Sequence, residues 1–343
     1  MALETTTVRT NLSLQAIQRS ICGSTWVLAT YIMKRLLLTI PVLLGVSILI
    51  FSMVRLIPGN IVDILIGPEI YVGPEYRAQL MSKYGLDQPI YVQYWRWLSQ
   101  VLQGNFGDSL RTQQPVLETI LQKLLLTMEL ALLSMVCSAV VAIPLGVISA
   151  VNRNSIVDFV VRLVAMIGLS LPNFWLASML LLITSVVFKW SPKLGNVGFF
   201  ADPLNNLAQL AMPTFALSLT LMAIVMRMTR SSMLEVLRQD YIQTARAKGL
   251  MPRVIMIRHA LKNALIPVIT VMGVQLGSLL GGVVVIEQIF GLPGIGWLLL
   301  QGIYQRDYPM IQGTVLLIAV VFVAVNLLVD LLYAALDPRI RYS

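Results

Sequence analysis

Residues 264–286 read ALIPVITVMGVQLGSLLGGVVVI, a run of 23 residues without a charged side chain. A helix needs about 20 mostly apolar residues to cross a bilayer, because each residue adds about 1.5 Å across a hydrocarbon core about 30 Å thick. Gly273, Gly277 and Gly281 recur at intervals of four and form a smooth strip along one face of such a helix. The strip lets another helix approach closely or leaves room for a pathway, so we expect this span to face protein.

Five further stretches have the same length and character, at roughly 36–57, 128–150, 160–187, 208–226 and 313–335. The composition agrees, since 57% of the residues are hydrophobic and only 12% are charged, against about a quarter charged in soluble domains. The first stretch is too long for the apolar part of a signal peptide and lacks a small-residue cleavage site, so we expect a retained anchor. The sequence therefore predicts an all-α integral membrane protein with six transmembrane helices.

The net charge of +9 is unevenly distributed. If both termini are cytoplasmic, the two short outer loops hold only Lys189, Lys193 and Arg306, and most other basic residues lie inside. Excess Lys and Arg in short loops mark the cytoplasmic side, and long outer segments are exempt from this rule. We therefore expect both termini in the cytoplasm and do not interpret the charge as a nucleic-acid footprint.

These patterns divide the chain into four regions. We expect a disordered cytoplasmic tail at 1–32, with a chain that starts at Met33 as the alternative, and a first transmembrane helix at 33–57. A sizeable outer segment follows at 58–127, and a five-helix core at 128–343 contains a long inner loop at about 227–263. The outer segment has helical spacing from Tyr76 onward and then several aromatic residues, which form either an interfacial belt or a surface for a soluble partner.

The motifs of common enzymes are missing. The sequence has no GxxxxGK[ST] run, no HExxH, one histidine and two cysteines, which excludes a P-loop and argues against metal and nucleophile–base sites on this chain. The glycine-rich run GLPGIG at 291–296 has the wrong spacing for a dinucleotide site and follows a span. We expect it to be a tight turn that re-enters toward the membrane.

Polar residues inside the spans are the next candidates, because a charge in lipid costs about 2.5–3.5 kcal/mol even on the insertion scale. Asn326 and Asp330 share one face of the last span. They serve either helix packing or a proton pathway, and the absence of a basic residue inside the spans favours packing. Glu129 and Glu287 fall near outer span ends, where we expect them to be solvated.

The inner loop at 227–263 is longer than a hairpin requires. Apolar residues at intervals of three and four predict an amphipathic helix over 231–248, which Gly249 ends and which Pro252 keeps from continuing. A second short helix is expected over 254–265, with Pro267 marking entry into the fifth span. The bent pair suits either a surface resting on anionic lipid or a docking element for a cytoplasmic protein, and the residues alone leave both open.

At this loop the chain resembles a known family. The run RMTRSSMLEVLRQDYIQTARAKGLMPRVIMIRHALKNALIPV, at 227–268, is similar to the EAA loop of ATP-binding-cassette importer permeases, in the B-type subunit of the dipeptide/oligopeptide/nickel branch. Four more blocks match in the same order: KRLLLTIPVLLGVSILIF with RLIPGN, GNFGDSL, SLPNFWLA and GLPGIGWLLLQGIYQRDYP. The resemblance covers about residues 33–343.

The resemblance implies which residues contact an ATPase subunit. The EAA triplet falls on Gln243, Thr244 and Ala245, the first two of which depart from the literal letters, and the loop glycine falls on Gly249. Pro267 lies farther from Gly249 than in the general pattern. The implied coupling residues are Gln243, Thr244, Ala245, Arg246, Ala247, Lys248, Gly249, Leu250, Pro252 and Arg253.

The resemblance also implies a type I importer permease fold, in a bacterial or archaeal inner membrane. The chain would form half of a pathway for peptides delivered by an extracytoplasmic binding protein, paired with a C-type permease and driven by one or two ATPase subunits that carry ATP and Mg. It would bind no cofactor and no nucleic acid itself. Nickel chelates, glutathione or glycosides are alternative cargoes, and a proton-driven carrier or a membrane-anchored scaffold are alternative functions.

Overall fold

The fold is described from a computed structural model, which describes residues 33–56, 73–83, 85–192, 195 and 197–336. The expected tail at 1–32 lies outside these residues. The described part contains eleven helices and no strand. They are α1 (Met33–Leu56), α2 (Pro74–Lys83), α3 (Ile90–Leu102), α4 (Val116–Val151), α5 (Ile156–Ser170), α6 (Asn173–Val186), α7 (Pro203–Val236), α8 (Asp240–Ala247), α9 (Pro252–Phe290), α10 (Ile295–Gln305) and α11 (Tyr308–Leu336).

Five of these helices, α1, α4, α7, α9 and α11, are long and apolar enough to cross a membrane. The predicted single span at 160–187 is wrong in form, because α5 and α6 meet at an angle of 99°. Pro172 disfavours a helical conformation in the residue before it, and Leu171 is accordingly extended, with φ −86° and ψ 123°. Counted as one broken span, the pair completes the six predicted crossings.

Helix α4 is much longer than a bilayer crossing requires. Helix α4 has 36 residues and is therefore about 54 Å long, compared with a hydrocarbon core of about 30 Å. It begins at Val116, so the last part of the predicted outer segment at 58–127 already belongs to this helix. Charged and polar residues near its start are therefore held on a rigid rod that continues into the membrane.

Helix α7 is the centre of the bundle. It packs against α4, α5, α6 and α9. In its most apolar 18-residue segment 67% is buried, compared with 11–33% in the corresponding segments of the other four long helices. Gly146 lets α4 approach closely, because a Cβ there would lie 2.8 Å from the carbonyl oxygen of Met226. The peripheral spans instead expose leucine, isoleucine and valine side chains, as lipid contact requires.

The outer segment rests partly on α1. The Tyr94 hydroxyl of α3 lies 2.8 Å from Ser47 Oγ, and the Tyr94 and Trp97 rings contact Phe51 with centroid distances of 5.5 and 5.7 Å. Tyr91 and Trp95 remain exposed. The aromatic residues predicted to form a belt or a partner surface are thus divided between packing on the first span and an exposed face.

A second contact fixes the outer segment to the far end of the chain. Ser109 Oγ donates to Asp307 Oδ2 at 2.5 Å, and the Leu110 amide donates to Asp307 Oδ1 at 3.2 Å. Asp307 directly precedes α11. The blocks GNFGDSL and QRDYP, about 200 residues apart in sequence, are therefore one structural unit on the outer side.

Candidate functional site

The inner loop between α7 and α9 contains the short helix α8. The predicted single helix over 231–248 is wrong, because residues 231–236 continue α7 and the chain turns at 237–239 before α8 begins. Gln239 is extended, with φ −69° and ψ 148°. The turn brings Ile242 and Ala245 back against the bundle, where both are buried, and this burial outweighs the one or two helical hydrogen bonds lost.

The end of α8 is a Schellman motif. Gly249 has φ +76°, the Gly249 amide donates to the Arg246 carbonyl at 2.9 Å, and the Leu250 amide donates to the Ala245 carbonyl at 3.3 Å. This pairing satisfies the last carbonyls of the helix and requires a left-handed residue, which favours glycine. The predicted end of the helix at Gly249 is confirmed.

The next helix starts at Pro252, two residues before the expected start at 254. Met251 is extended, with φ −59° and ψ 139°, and Pro252 occupies the first turn of α9, where a missing amide hydrogen costs nothing. The expected separate helix over 254–265 is wrong, because α9 runs without a break through Pro267 to Phe290. A membrane helix tolerates an interior proline when neighbouring groups satisfy the freed carbonyl.

The first turns of α9 are wider than those of an α-helix. Residues Ile255–Leu261 form a π-helix, in which residues five apart lie above one another. Ile255 and Ala260 are accordingly both buried in one cluster with Ile242 and Met233. This cluster, which also contains Ala150 of α4, joins α8 to the inner ends of three spans.

Most of the ten predicted coupling residues lie on the exposed surface of the inner loop. Nine of them are exposed, and Ala245 alone is buried. Leu250 and Met251 form an apolar tip between Gly249 and Pro252, with 40% and 68% of their surfaces exposed. Met251 was not among the predicted coupling residues, although its position between Gly249 and Pro252 indicated it.

The tip is surrounded by positive charge. Arg246, Lys248 and Arg253 are exposed, and no carboxylate among the described residues forms an ion pair with them. Tyr241 lies beside them and accepts a hydrogen bond from Asn263 Nδ2 at 2.8 Å. An apolar tip with a basic rim, fixed to rigid helices, is suited to a cleft with an acidic edge.

A buried ionic cluster joins the spans next to this element. Arg230 of α7 donates to both oxygens of Asp158, from Nε at 2.7 Å and from Nη2 at 2.9 Å. Ser149 Oγ also donates to Asp158, at 2.6 Å, and the Asp158 side chain is fully buried. The cluster therefore ties α4, α5 and α7 together at their inner ends.

Asp158 was not predicted to be a functional residue. The pattern Ser155-x-x-Asp158 could have drawn attention to it, because a serine followed three residues later by an acid is typical of a helix start. The Asp158 amide does donate to Ser155 Oγ at 3.2 Å. The partner Arg230, in contrast, lies 72 residues away and no local pattern pairs the two.

The glycine strip in α9 faces α11. A Cβ at Gly273 would overlap Val329, and one at Gly277 would lie 2.8 Å from the Phe322 ring and 3.4 Å from Asn326 Oδ1. Gly281 has no neighbouring atom within 4 Å. Gly273, Gly277 and Asn326 therefore take part in helix packing, whereas Gly281 lies beside open space.

Asp330 has a partner that the sequence analysis did not identify. Its Oδ2 lies 2.8 Å from Arg35 Nη1, at the start of α1. The contact is an ion pair between the first and last spans. A carboxylate paired in this way favours the packing interpretation over a proton pathway.

The expectation that Glu287 is solvated was wrong. Its side chain is fully buried, accepts from Thr127 Oγ1 at 2.6 Å and accepts from the Trp297 amide at 3.0 Å. The Ile295 amide donates in turn to Thr127 Oγ1 at 2.9 Å. Glu287 and Thr127 thus satisfy the free amides at the start of α10, and a carboxylate suits that positive helix end.

The turn predicted at 291–296 is confirmed. Gly291 is left-handed, with φ +62°, and ends α9. A Cβ at Gly294 would overlap the Glu287 carboxylate. The glycines in GLPGIG therefore allow α10 to fold back over the buried acid.

Comparisons with known proteins agree with this architecture. Residues 142–342 match the family model "Binding-protein-dependent transport system inner membrane component", and residues 28–131 match the model of its N-terminal part. The chain is 42% identical over 332 residues to the dipeptide transport system permease protein DppB of Alkalihalophilus pseudofirmus, covering 91% of this chain and 99% of the relative.

Two further similarities widen the comparison. The glutathione transport system permease protein GsiC of Salmonella paratyphi A is 41% identical over 313 residues, covering 91% and 99% of the two chains. Among solved structures, an inward facing conformation of the MetNI methionine ABC transporter matches 64% of this chain and 96% of the other, with a TM-score of 0.53 and 19% identity. The second match concerns the fold alone.

Proposed function

The chain belongs to the binding-protein-dependent transport system inner membrane components, and on that premise we propose that the segment 240–253 is the surface through which an ATPase drives it. It is a multi-pass inner-membrane permease of an ATP-driven importer with the type I fold. Such a permease works with a partner permease, an ATPase and a binding protein. The single observation that carries the proposal is the exposed apolar tip at Leu250 and Met251 inside a basic rim.

The packing around α8 supports a lever. Ile242 and Ala245 lie in one buried cluster with Met233 of α7 and Ile255 of α9. A force applied to the exposed tip therefore reaches α4, α7 and α9 through this cluster and, through Arg230 and Asp158, α5 as well. An ATPase that binds one position of this lever more tightly biases the permease between two states, as any ligand biases a two-state equilibrium.

The proposed set of subunits is supported by the sequence and by the family. The sequence contains no P-loop motif, so ATP and Mg are held by one or two separate ATPase subunits. The partner permease is a C-type subunit, with which this chain forms a heterodimer around the pathway. Both chain termini and the segment 240–253 are cytoplasmic, because the basic residues concentrate on that side.

Peptides are the proposed cargo. The DppB relative is named for dipeptides, and this class of substrate is the first choice for the chain. Glutathione is the second candidate, because the GsiC relative is equally similar over the same share of the chain. Uptake of a labelled dipeptide and of labelled glutathione by the purified importer, in proteoliposomes loaded with ATP, separates the two.

The coupling surface is tested with two matched glycine variants. Gly249→Val and Gly104→Val both place a side chain at positive φ, +76° and +81°, with no atom within 4 Å of the added Cβ. We expect Gly249→Val to lose the ATPase during affinity purification of the complex, because the strained tip no longer fits its cleft. Gly104→Val, in an outer turn, should retain it. Equal retention of the ATPase in both variants would overturn the proposal.

A further inference from the structure

A groove runs between α5 and α7 on the side assigned to the cytoplasm. It encloses a volume of about 330 Å³ and is partly open to the surroundings. Three arginines line it: Arg162 on α5, and Arg227 and Arg230 on α7. The rest of its wall is apolar and includes Met166, Leu169 and Met226.

The arginines carry more positive charge than the protein neutralises. Arg230 is committed to Asp158 through two hydrogen bonds, and Arg162 lies 3.5 Å from the same carboxylate. In the described part of the chain, no carboxylate pairs with Arg227. Asp158 thus neutralises one of the three positive charges, and the side chains of Arg162 and Arg227 are both exposed.

Charge and apolar surface are separated along the groove. Met166 and Leu169 follow Arg162 on α5, about 6 Å and about 10 Å farther toward the bend at Pro172. The cationic end lies near the inner start of α5 and the apolar end deeper in the membrane. A small inorganic anion would leave the apolar wall unused, whereas an amphiphile with an anionic head satisfies both ends.

We propose that this groove binds one anionic phospholipid of the cytoplasmic leaflet. Its phosphate lies between Arg162 and Arg227, and one acyl chain follows Met166 and Leu169 toward the bend. Basic pockets between membrane helices on the cytoplasmic side are suited to such headgroups. Because α7 continues from Arg230 to the turn before α8, the bound lipid would lie next to the segment proposed to contact the ATPase.

Lipid titration of the whole purified importer, followed by native mass spectrometry, tests the site. Phosphatidylglycerol is compared with phosphatidylcholine in wild type and in Arg162→Gln/Arg227→Gln. We expect wild type to prefer phosphatidylglycerol and the double variant to lose roughly fivefold in its affinity for each arginine removed. Phosphatidylcholine binding should not change. The control Arg153→Gln/Arg238→Gln removes two exposed charges from the same side but outside the groove and should alter neither affinity.

A second variant separates a lipid from a bare anion. Met166 is 61% exposed, so Met166→Trp adds bulk to the groove without crowding the core or changing the charge. It should weaken phosphatidylglycerol binding severalfold, and added inorganic phosphate should not displace the lipid from wild type. Three results would each overturn the proposal: equal binding of the two lipids by wild type, as expected if the partner permease covers the groove; equal losses in the groove and control pairs; or an unchanged affinity in Met166→Trp.

Discussion

Replacing Arg230 by methionine removes the main partner of a carboxylate that has no access to solvent. The side chain of Asp158 is fully buried, whereas that of Arg230 is 21% exposed. After Arg230→Met, Asp158 retains the Ser149 hydroxyl, the Asn154 amide at 3.0 Å and the largely exposed Arg162 at 3.5 Å. Removing one member of a buried ion pair costs about 3–5 kcal/mol, and we expect a value in that range.

Replacing Asp158, the other member of the pair, should cost less stability. Asp158→Asn leaves an arginine that can turn toward solvent, and we expect a loss of about 1–3 kcal/mol. Arg230→Met combined with Asp158→Asn should be milder than the sum of the single changes, because no uncompensated charge remains. Unfolding of the purified permease in mixed micelles, followed by circular dichroism, gives the four free energies of this cycle.

A matched control is available on the same carboxylate. Arg162 lies 3.5 Å from Asp158 and is 53% exposed, so Arg162→Gln should cost about 0.5 kcal/mol or less. If Arg230→Met costs no more than Arg162→Gln, or less than Asp158→Asn, the reasoning from burial is refuted.

Two further stability predictions concern the turn after α9 and the buried face of α8. Gly294→Ala should destabilise the permease by about 1–3 kcal/mol, because the added Cβ would overlap Glu287. The control Gly281→Ala adds its Cβ in open space and should be neutral or stabilise by up to about 1 kcal/mol. The free energies of unfolding in micelles distinguish the two variants. Ile242→Ala should lower the free energy of unfolding by about 2–5 kcal/mol, because the side chain is fully buried. The rate of proteolysis at the inner loop should rise in this variant and stay unchanged in the exposed-site variant Thr244→Ala. Equal proteolysis in the two variants would contradict the role of the cluster.

Much of the fold could be predicted from runs of apolar residues. Length and charge located the six crossings, and Gly249 and Pro252 located the break at the inner loop, because glycine in the left-handed region and proline at a helix start are local preferences. These features depend on residues close in sequence. The bend at Pro172 was also visible locally, but the long apolar run on both sides concealed it.

Most of the other errors involve distant partners. The acids Glu287 and Asp330 were judged by their position along a span, while their environments are set by Thr127, 160 residues away, and by Arg35 at the other end of the chain. The turn before α8 likewise depends on a cluster that α4 and α9 complete. Local periodicity could not show where these side chains meet.

The most direct test of the account is the number of substrate molecules imported per ATP hydrolysed. It is measured in proteoliposomes with the complete importer carrying Leu250→Asp/Met251→Asp, which puts charge on the exposed tip. Ile156→Asp, another exposed apolar residue on the proposed cytoplasmic side, is the control. We expect uptake per ATP to fall at least tenfold in the tip variant, a change of about 1.4 kcal/mol in coupling, and to stay at the wild-type value in the control. A wild-type ratio in the tip variant would contradict the central claim that this segment couples the ATPase to the permease.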